Sequence, residues 1–151
     1  MIKAFKQEGL KIATIKHDAH TFEIDHEGKD TWKYAESGSD IILINSREKL
    51  AWIEKLEVPV TFEQVVLKID QVDIIFVEGY KYEFPPKILV VRRETDLALL
   101  SKLKDVVAIA TLLPHEMIDR RIPVFGLDDY LGIVEFIRSH ILGEKKYGTR
   151  T

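Results

Sequence analysis

Six short runs of apolar and β-branched residues punctuate the chain: Lys11–Lys16, Asp40–Asn45, Asp73–Val77, Lys87–Arg92, Val106–Ala110 and Ile122–Phe125. Several are nearly all apolar, as strands covered on both faces are. Helical patterns alternate with them. In MIKAFKQEGL, Ile2 and Phe5 share a face, Gly9 sits where a helix-ending glycine belongs, and Leu10 follows it. No Ser, Thr, Asp or Asn caps its start, and it reads as the back half of a longer helix. Asp30–Ser37 stops at Gly38, and Thr61–Ile69 opens with the capping-box spacing Thr61-x-x-Gln64. Thr95–Leu103 carries Leu97, Leu100 and Leu103, and Asp128–Leu142 places Leu131, Val134, Ile137 and Ile141 on one side. Strands alternating with helices predict a layered α/β fold with a mostly parallel sheet, built as a single domain over residues 1–151.

In such a sheet, ligands gather beyond the carboxyl ends of the strands. Three polar tracts follow strands: Lys16–Asp30, Glu78–Lys87, with Pro85-Pro86 marking a loop inside it, and Thr111–Glu116. They are the candidate site loops. The composition narrows what they do. The chain has 151 residues, 46% apolar and 31% charged, with a formal net charge of −3. That balance lacks a basic nucleic-acid footprint. There is no cysteine, which removes disulfides and thiolate metal sites. No apolar run approaches the roughly 20 residues of a membrane span, and no signal-peptide pattern opens the chain. The expectation is a cytoplasmic protein with neither nucleic acid nor membrane as partner, and a loose charged tail over 143–151.

The second tract begins where DIIFVEGYK leaves its strand at Glu78-Gly79. A carboxylate there can hold Mg²⁺ directly or through water, and a glycine beside it lets backbone approach a phosphate. The plainer reading of Glu78 is a helix cap or loop residue. Asp73, at the other end of the strand, does not reach the same site. The first tract supplies Lys16, His17, Asp18, His20, Asp25, His26, Lys29 and Asp30. Three readings stand side by side. It is a mobile polar loop, or a metal site of His17 and His20 with Asp18 or Asp25, or a nucleotide-responsive loop. In the last, Lys16 and Lys29 face phosphates and an Asp orders metal-bound water. His20 is the histidine with the most structural character, placed to cap a turn.

ATIKHDAHTFEIDHEGKDTWKYAESGSD resembles the signature of the molybdopterin-guanine dinucleotide biosynthesis protein B (MobB) family. Lys16-His17-Asp18-Ala19-His20, Asp25 and Gly28-Lys29-Asp30-Thr31 carry the resemblance. Val77–Lys81 is similar to its Glu-Gly-Phe/Tyr run, and Pro86–Arg92 to its following strand. The resemblance runs in order over about residues 1 to 130. It implies a three-layer, P-loop NTPase-like fold and a GTP-binding protein, a homodimer with weak GTPase activity. Such a protein assists the guanylyltransferase that attaches GMP to molybdopterin in molybdenum cofactor biosynthesis. It assigns nucleotide contacts to Lys16, His17, Asp25, Lys29, Asp30 and Gly79. Glu78 becomes the catalytic carboxylate and the Mg²⁺ ligand that accompanies GTP.

One departure bears on these expectations. The family opens with a strand and a phosphate loop, G-x-x-x-x-G-K-S/T, whose N–H groups cradle phosphates. This sequence lacks both. Around its Gly28-Lys29, position 23 is Glu rather than Gly, and Asp30 replaces the hydroxyl. The expectation is a truncated form with impaired GTP binding. The alternative is a phosphate-loop-less remnant, a nucleotide-independent module that keeps its dimer or partner surface. No base-reading motif stands out, and Thr111–Glu116 is the place expected for a base pocket. Lys16–Asp30 is expected to be mobile without ligand.

Overall fold

The structure, a computed structural model, describes residues 1–18, 20–83, 86–118 and 121–143. Pro85 and residues 144–151 of the expected tail lie outside the described residues. In chain order the elements are α1 (Ile2–Gln7), β1 (Ile12–Lys16), α2 (Asp30–Glu36), β2 (Ile41–Asn45), β3 (Leu50–Glu54) and α3 (Phe62–Leu67). β4 (Ile74–Glu78), β5 (Lys87–Val91), β6 (Val106–Thr111), β7 (Val124–Gly126) and α4 (Tyr130–Phe136) follow. They group into two compact units. The first joins Met1–Ile15 to the chain from Gln71 onward, and the second is Lys16–Asp70.

The first unit holds the core. β5, β6 and β7 form a parallel sheet in that order. Side chains alternate across it. Ala110 and Ile88 face a cluster with Phe5, Leu10, Ile133, Val134 and Ile137. Leu89, Val91 and Ile109 face another with Ile118, Leu97, Leu100 and Leu103. The sheet is thus the middle of three layers. β1 and β4 pair beside this core, and Ile12, Ile74 and Phe76 pack against its first cluster. The Asp73 amide donates to the Lys11 carbonyl (2.8 Å), and Asp73 Oδ2 accepts from the Lys11 amide (2.7 Å). Both strands leave that clamp in the same direction, so they are parallel.

Local chemistry explains how α1 ends. Gly9, at φ 85°, turns the chain back so that the Gly9 amide reaches the Lys6 carbonyl and the Leu10 amide reaches Phe5. This is a Schellman closure, and it brings Leu10 onto Phe5 in the core. The helix expected over Thr95–Leu103 is a 3₁₀ segment at Glu94–Leu99, started by Asp96 Oδ2 accepting from the Arg92 and Arg93 amides. The expected face of the last helix is shifted. Leu131, in the regular first turn of α4, faces away from the buried Ile133, Val134, Phe136 and Ile137, and a π-turn over Ile137–Ile141 changes the helical period before the exposed Ile141.

The second unit contains a feature absent from the sequence reading. β2 is not part of the parallel sheet but pairs antiparallel with β3, Leu43 opposite Trp52 and Ile42 opposite Ile53. The turn is held by Ser46, whose amide donates to the Lys49 carbonyl and whose Oγ accepts from the Glu48 and Lys49 amides. α3 starts with the expected capping box: Gln64 Oε1 accepts from the Thr61 amide at 2.8 Å, and Thr61 Oγ1 from the Gln64 amide at 3.3 Å. Lys68 then ties the end of α3 to Glu54 of β3 at 3.0 Å. Among the described residues of this unit, Ile42 is the one buried apolar side chain.

Phe5 is fully buried between α1 and the sheet, with Phe76 at a ring-centroid distance of 5.9 Å. Phe5→Ala is expected to lower unfolding stability by about 3–5 kcal/mol, a large part of a typical domain's total. A urea unfolding midpoint unchanged from the parent would contradict this account of the core.

Candidate functional site

The tract after β1 is organised by its own acids. Asp18 Oδ1 accepts from the His20 amide at 3.1 Å, so the turn at His20 is capped by a carboxylate and the His20 backbone is the donor. Asp25 Oδ1 accepts from the His26 amide at 2.8 Å. The Lys29 amide then closes on the His26 carbonyl at 3.2 Å, through Gly28 at φ 86°, a conformation that favours glycine. Lys29 is extended at φ −75°, ψ 158° and stands in the N-cap position of α2, and Asp30 occupies its first turn. An acid there complements the helix dipole. Asp30 also meets Lys33 at 3.4 Å on an exposed surface.

Asp25 is the most constrained residue of the tract. Its carboxyl is held below the ordinary aspartate range, first by a hydrogen bond from the Thr31 hydroxyl and next by the His26 amide. The charges of His26 and Lys29 add to this, and desolvation opposes it. Oδ2 is shielded from solvent and has no hydrogen-bond partner. The Gly28-Lys29 turn leaves Thr31 near enough to act on the Asp25 charge. Thr31 belongs to the quoted motif, yet sequence reasoning gave it no role; the glycine two residues past His26 was the available sign of that turn.

Lys16 and His17 are exposed at the end of β1 and immediately after it. Glu78 and Gly79 belong to the first unit, where Glu78 is the exposed last residue of β4. Gly79 has φ 90° and Tyr80 has φ 47°. Two successive left-handed residues turn the chain sharply off the strand. Tyr80 does so at a steric cost of about 1–2 kcal/mol that glycine does not bear. Asp73 is committed to its clamp on Lys11 at the far end of β4, as the sequence implied. Among the described residues, no three His, Asp or Glu side chains gather as a metal-binding group. Among the same residues, no helix is long and apolar enough to cross a membrane.

Against known proteins, residues 1–112 match the family model described as molybdopterin guanine dinucleotide synthesis protein B. A molybdopterin-guanine dinucleotide biosynthesis adapter protein from Haemophilus influenzae is 35% identical over 113 residues. That match spans 74% of this chain and 63% of the relative. The adapter protein of the same name from Escherichia coli is 24% identical over 146 residues, covering 91% of this chain and 80% of that one. The crystal structure of a MobB homologue from Bacillus stearothermophilus is similar at a TM-score of 0.68 and 24% identity, over 89% of this chain and 81% of that one. That structure and this chain share the layered α/β fold expected from the sequence.

A depressed carboxyl pKa stabilises the folded state at pH values above the ordinary aspartate pKa. That contribution is lost as pH falls through the lower, folded value. The Asp25 carboxyl, followed by NMR, is expected to titrate below the ordinary range. In Thr31→Val its pKa should move up towards that range. The same titration midpoint in parent and variant would remove Thr31 as the cause.

Proposed function

We propose that this chain, which belongs to the molybdopterin guanine dinucleotide synthesis protein B family, serves as an adapter in molybdopterin-guanine dinucleotide biosynthesis. It binds GTP with Mg²⁺ and works with the guanylyltransferase that joins GMP to molybdopterin. The observation that carries the reading is the family match, which takes in the whole Lys16–Asp30 tract and the Glu78-Gly79 turn. The donor set suits the task. Lys16 and Lys29 offer cationic groups to phosphates, and His17 adds a further donor. Asp25 holds the start of the turn through the His26 amide, and Asp30 sits in the first turn of α2. Gly79 gives backbone room beside Glu78, whose exposed carboxylate suits a hydrated Mg²⁺. The ion, when bound, neutralises phosphate charge. No G-x-x-x-x-G-K-S/T pattern stands among the 151 residues.

A homodimer is part of the same proposal, and the β2–β3 hairpin supports it. Leu43, Trp52, Leu50 and Ile41 lie on one face by register, and all are about half exposed or more. An apolar face of that kind on a thinly packed unit marks an interaction surface. It also gives weight to the second reading, a nucleotide-independent partner-binding module. A GTP titration separates the two.

By calorimetry the 151-residue chain is expected to bind GTP–Mg²⁺ more weakly than low micromolar. Each missing charge-assisted hydrogen bond costs about 1.5–3 kcal/mol. Glu78→Gln should keep the fold and weaken what Mg²⁺ dependence there is. Low-micromolar affinity, or Mg²⁺ dependence untouched by the substitution, would count against the assignment. For the dimer, sedimentation equilibrium should give twice the chain mass, and Leu43→Lys with Trp52→Glu should give monomer with unchanged circular dichroism. A parent that sediments as a monomer would end that part of the proposal.

A further inference from the structure

At the carboxyl ends of β6 and β7, two loops run side by side. Thr111 and Gly126 are register partners, and the Leu127 amide donates to the Thr111 carbonyl at 2.8 Å. Thr111 is the one buried polar residue among those described. Its Oγ1 accepts from the Leu113 amide at 2.9 Å, and the Leu112 amide donates to the Val91 carbonyl at 3.2 Å. The first loop is therefore fixed at its root from two sides, yet it presents Leu112 at 61% exposure. The second loop carries two neighbouring acids with different fates. Asp129 caps α4 by accepting from the Gly132 amide at 2.9 Å. Asp128 is exposed, and among the described residues its carboxylate has no hydrogen-bond or ion-pair partner. Tyr130, beside it, is 54% exposed.

A free carboxylate beside exposed apolar and aromatic side chains, on rigid roots at the carboxyl edge of a parallel sheet, has the elements of a nucleobase site. Flat rings are held by stacking, and their identity is read through the Watson–Crick edge. We infer that Asp128 is the specificity-determining residue of a guanine site formed by the Thr111–Leu113 and Leu127–Tyr130 loops. Guanine presents two adjacent donors on that edge, the ring N1–H and the exocyclic 2-amino group. An ionised carboxylate is acceptor-only and takes both at once. Adenine presents an unprotonated N1 there, which repels a carboxylate, and hypoxanthine lacks the 2-amino donor. Leu112 and Tyr130 supply the faces against which the ring rests. The inference rests on the reading that the chain binds a guanine nucleotide, and it says which residue reads the base.

The test is an amide-resolved NMR titration of the whole chain with guanosine, inosine and xanthosine 5′-monophosphates at millimolar concentration. The amides of Leu112, Leu113 and Leu127–Leu131 are expected to shift saturably with the guanosine nucleotide. The inosine nucleotide should bind about tenfold more weakly, the worth of one charge-assisted hydrogen bond. Asp128→Asn, an exposed substitution that leaves the Asp129 cap intact, should lose the guanosine preference and gain affinity for the xanthosine nucleotide. Xanthine offers a carbonyl where guanine has its amino group, and the Asn amide can donate to it. Equal affinity for guanosine and inosine nucleotides would overturn the inference, as would an Asp128→Asn variant with unchanged preference. GTP–Mg²⁺ shifts confined to Lys16–Asp30 and Gly79 would overturn it too, while leaving the adapter reading in place. No guanine-nucleotide shift anywhere would remove both.

Discussion

A parallel sheet has to be covered on both faces, because its crossovers leave neither face to water. Here that requirement falls on β5 and β6. Ile109 and Ala110 are neighbours in sequence and point into opposite clusters, so each face needs its own cover. One cover is α1 with α4 and its π-turn; the other is the 3₁₀ segment after β5 and the Ile118 region. The loops at the carboxyl edge inherit their stability from this sandwich. Thr111 is rigid because the strand it ends is buried on both sides.

The requirement also decides what could be read from the sequence. Runs such as Lys87–Arg92 and Val106–Ala110 are apolar at successive positions, and that pattern has few meanings. Asp40–Asn45 has the same pattern without the same cause: one face of β2 carries the buried Ile42, and the other carries the exposed Leu43. Apolarity along a strand does not reveal whether the cover comes from the same chain. β3 was not legible because its turn is made by a single serine hydroxyl and its strand mixes Glu54 with Trp52. The last helix was legible as a helix, but only Val134 and Ile137 of its expected face are buried: apolar residues on adjacent stripes made Leu131 look like part of it, and a π-turn before Ile141 leaves no clear mark in the residue pattern.

In the site tract, the charged residues were evident and their bonding was not. Lys16, His17, Lys29 and Asp30 stood out by type and by following a strand. How near Thr31 comes to Asp25 depends on how sharply Gly28 turns, which is a tertiary fact. The strain at Tyr80 was equally hidden, because a tyrosine gives no sign that its backbone is left-handed. Bulky residues hold such conformations only where the surroundings fix them. The two units differ in the same sense: one is organised by burial, the other by caps, turns and contacts such as the Lys68–Glu54 ion pair.

The Lys11–Asp73 clamp gives the inserted Lys16–Asp70 unit an unusual freedom. A parallel pair such as β1 and β4 must be joined by a crossover, and here the whole second unit is that crossover. Closing a flexible connection costs only about 0.6 kcal/mol for each doubling of its length. Where the chain re-enters the host is set by the Asp73 carboxylate on the Lys11 amide, not by the connection. The stretches of that segment outside the Lys16–Asp30 tract and the hairpin can therefore lengthen or shorten while β1 and β4 stay paired.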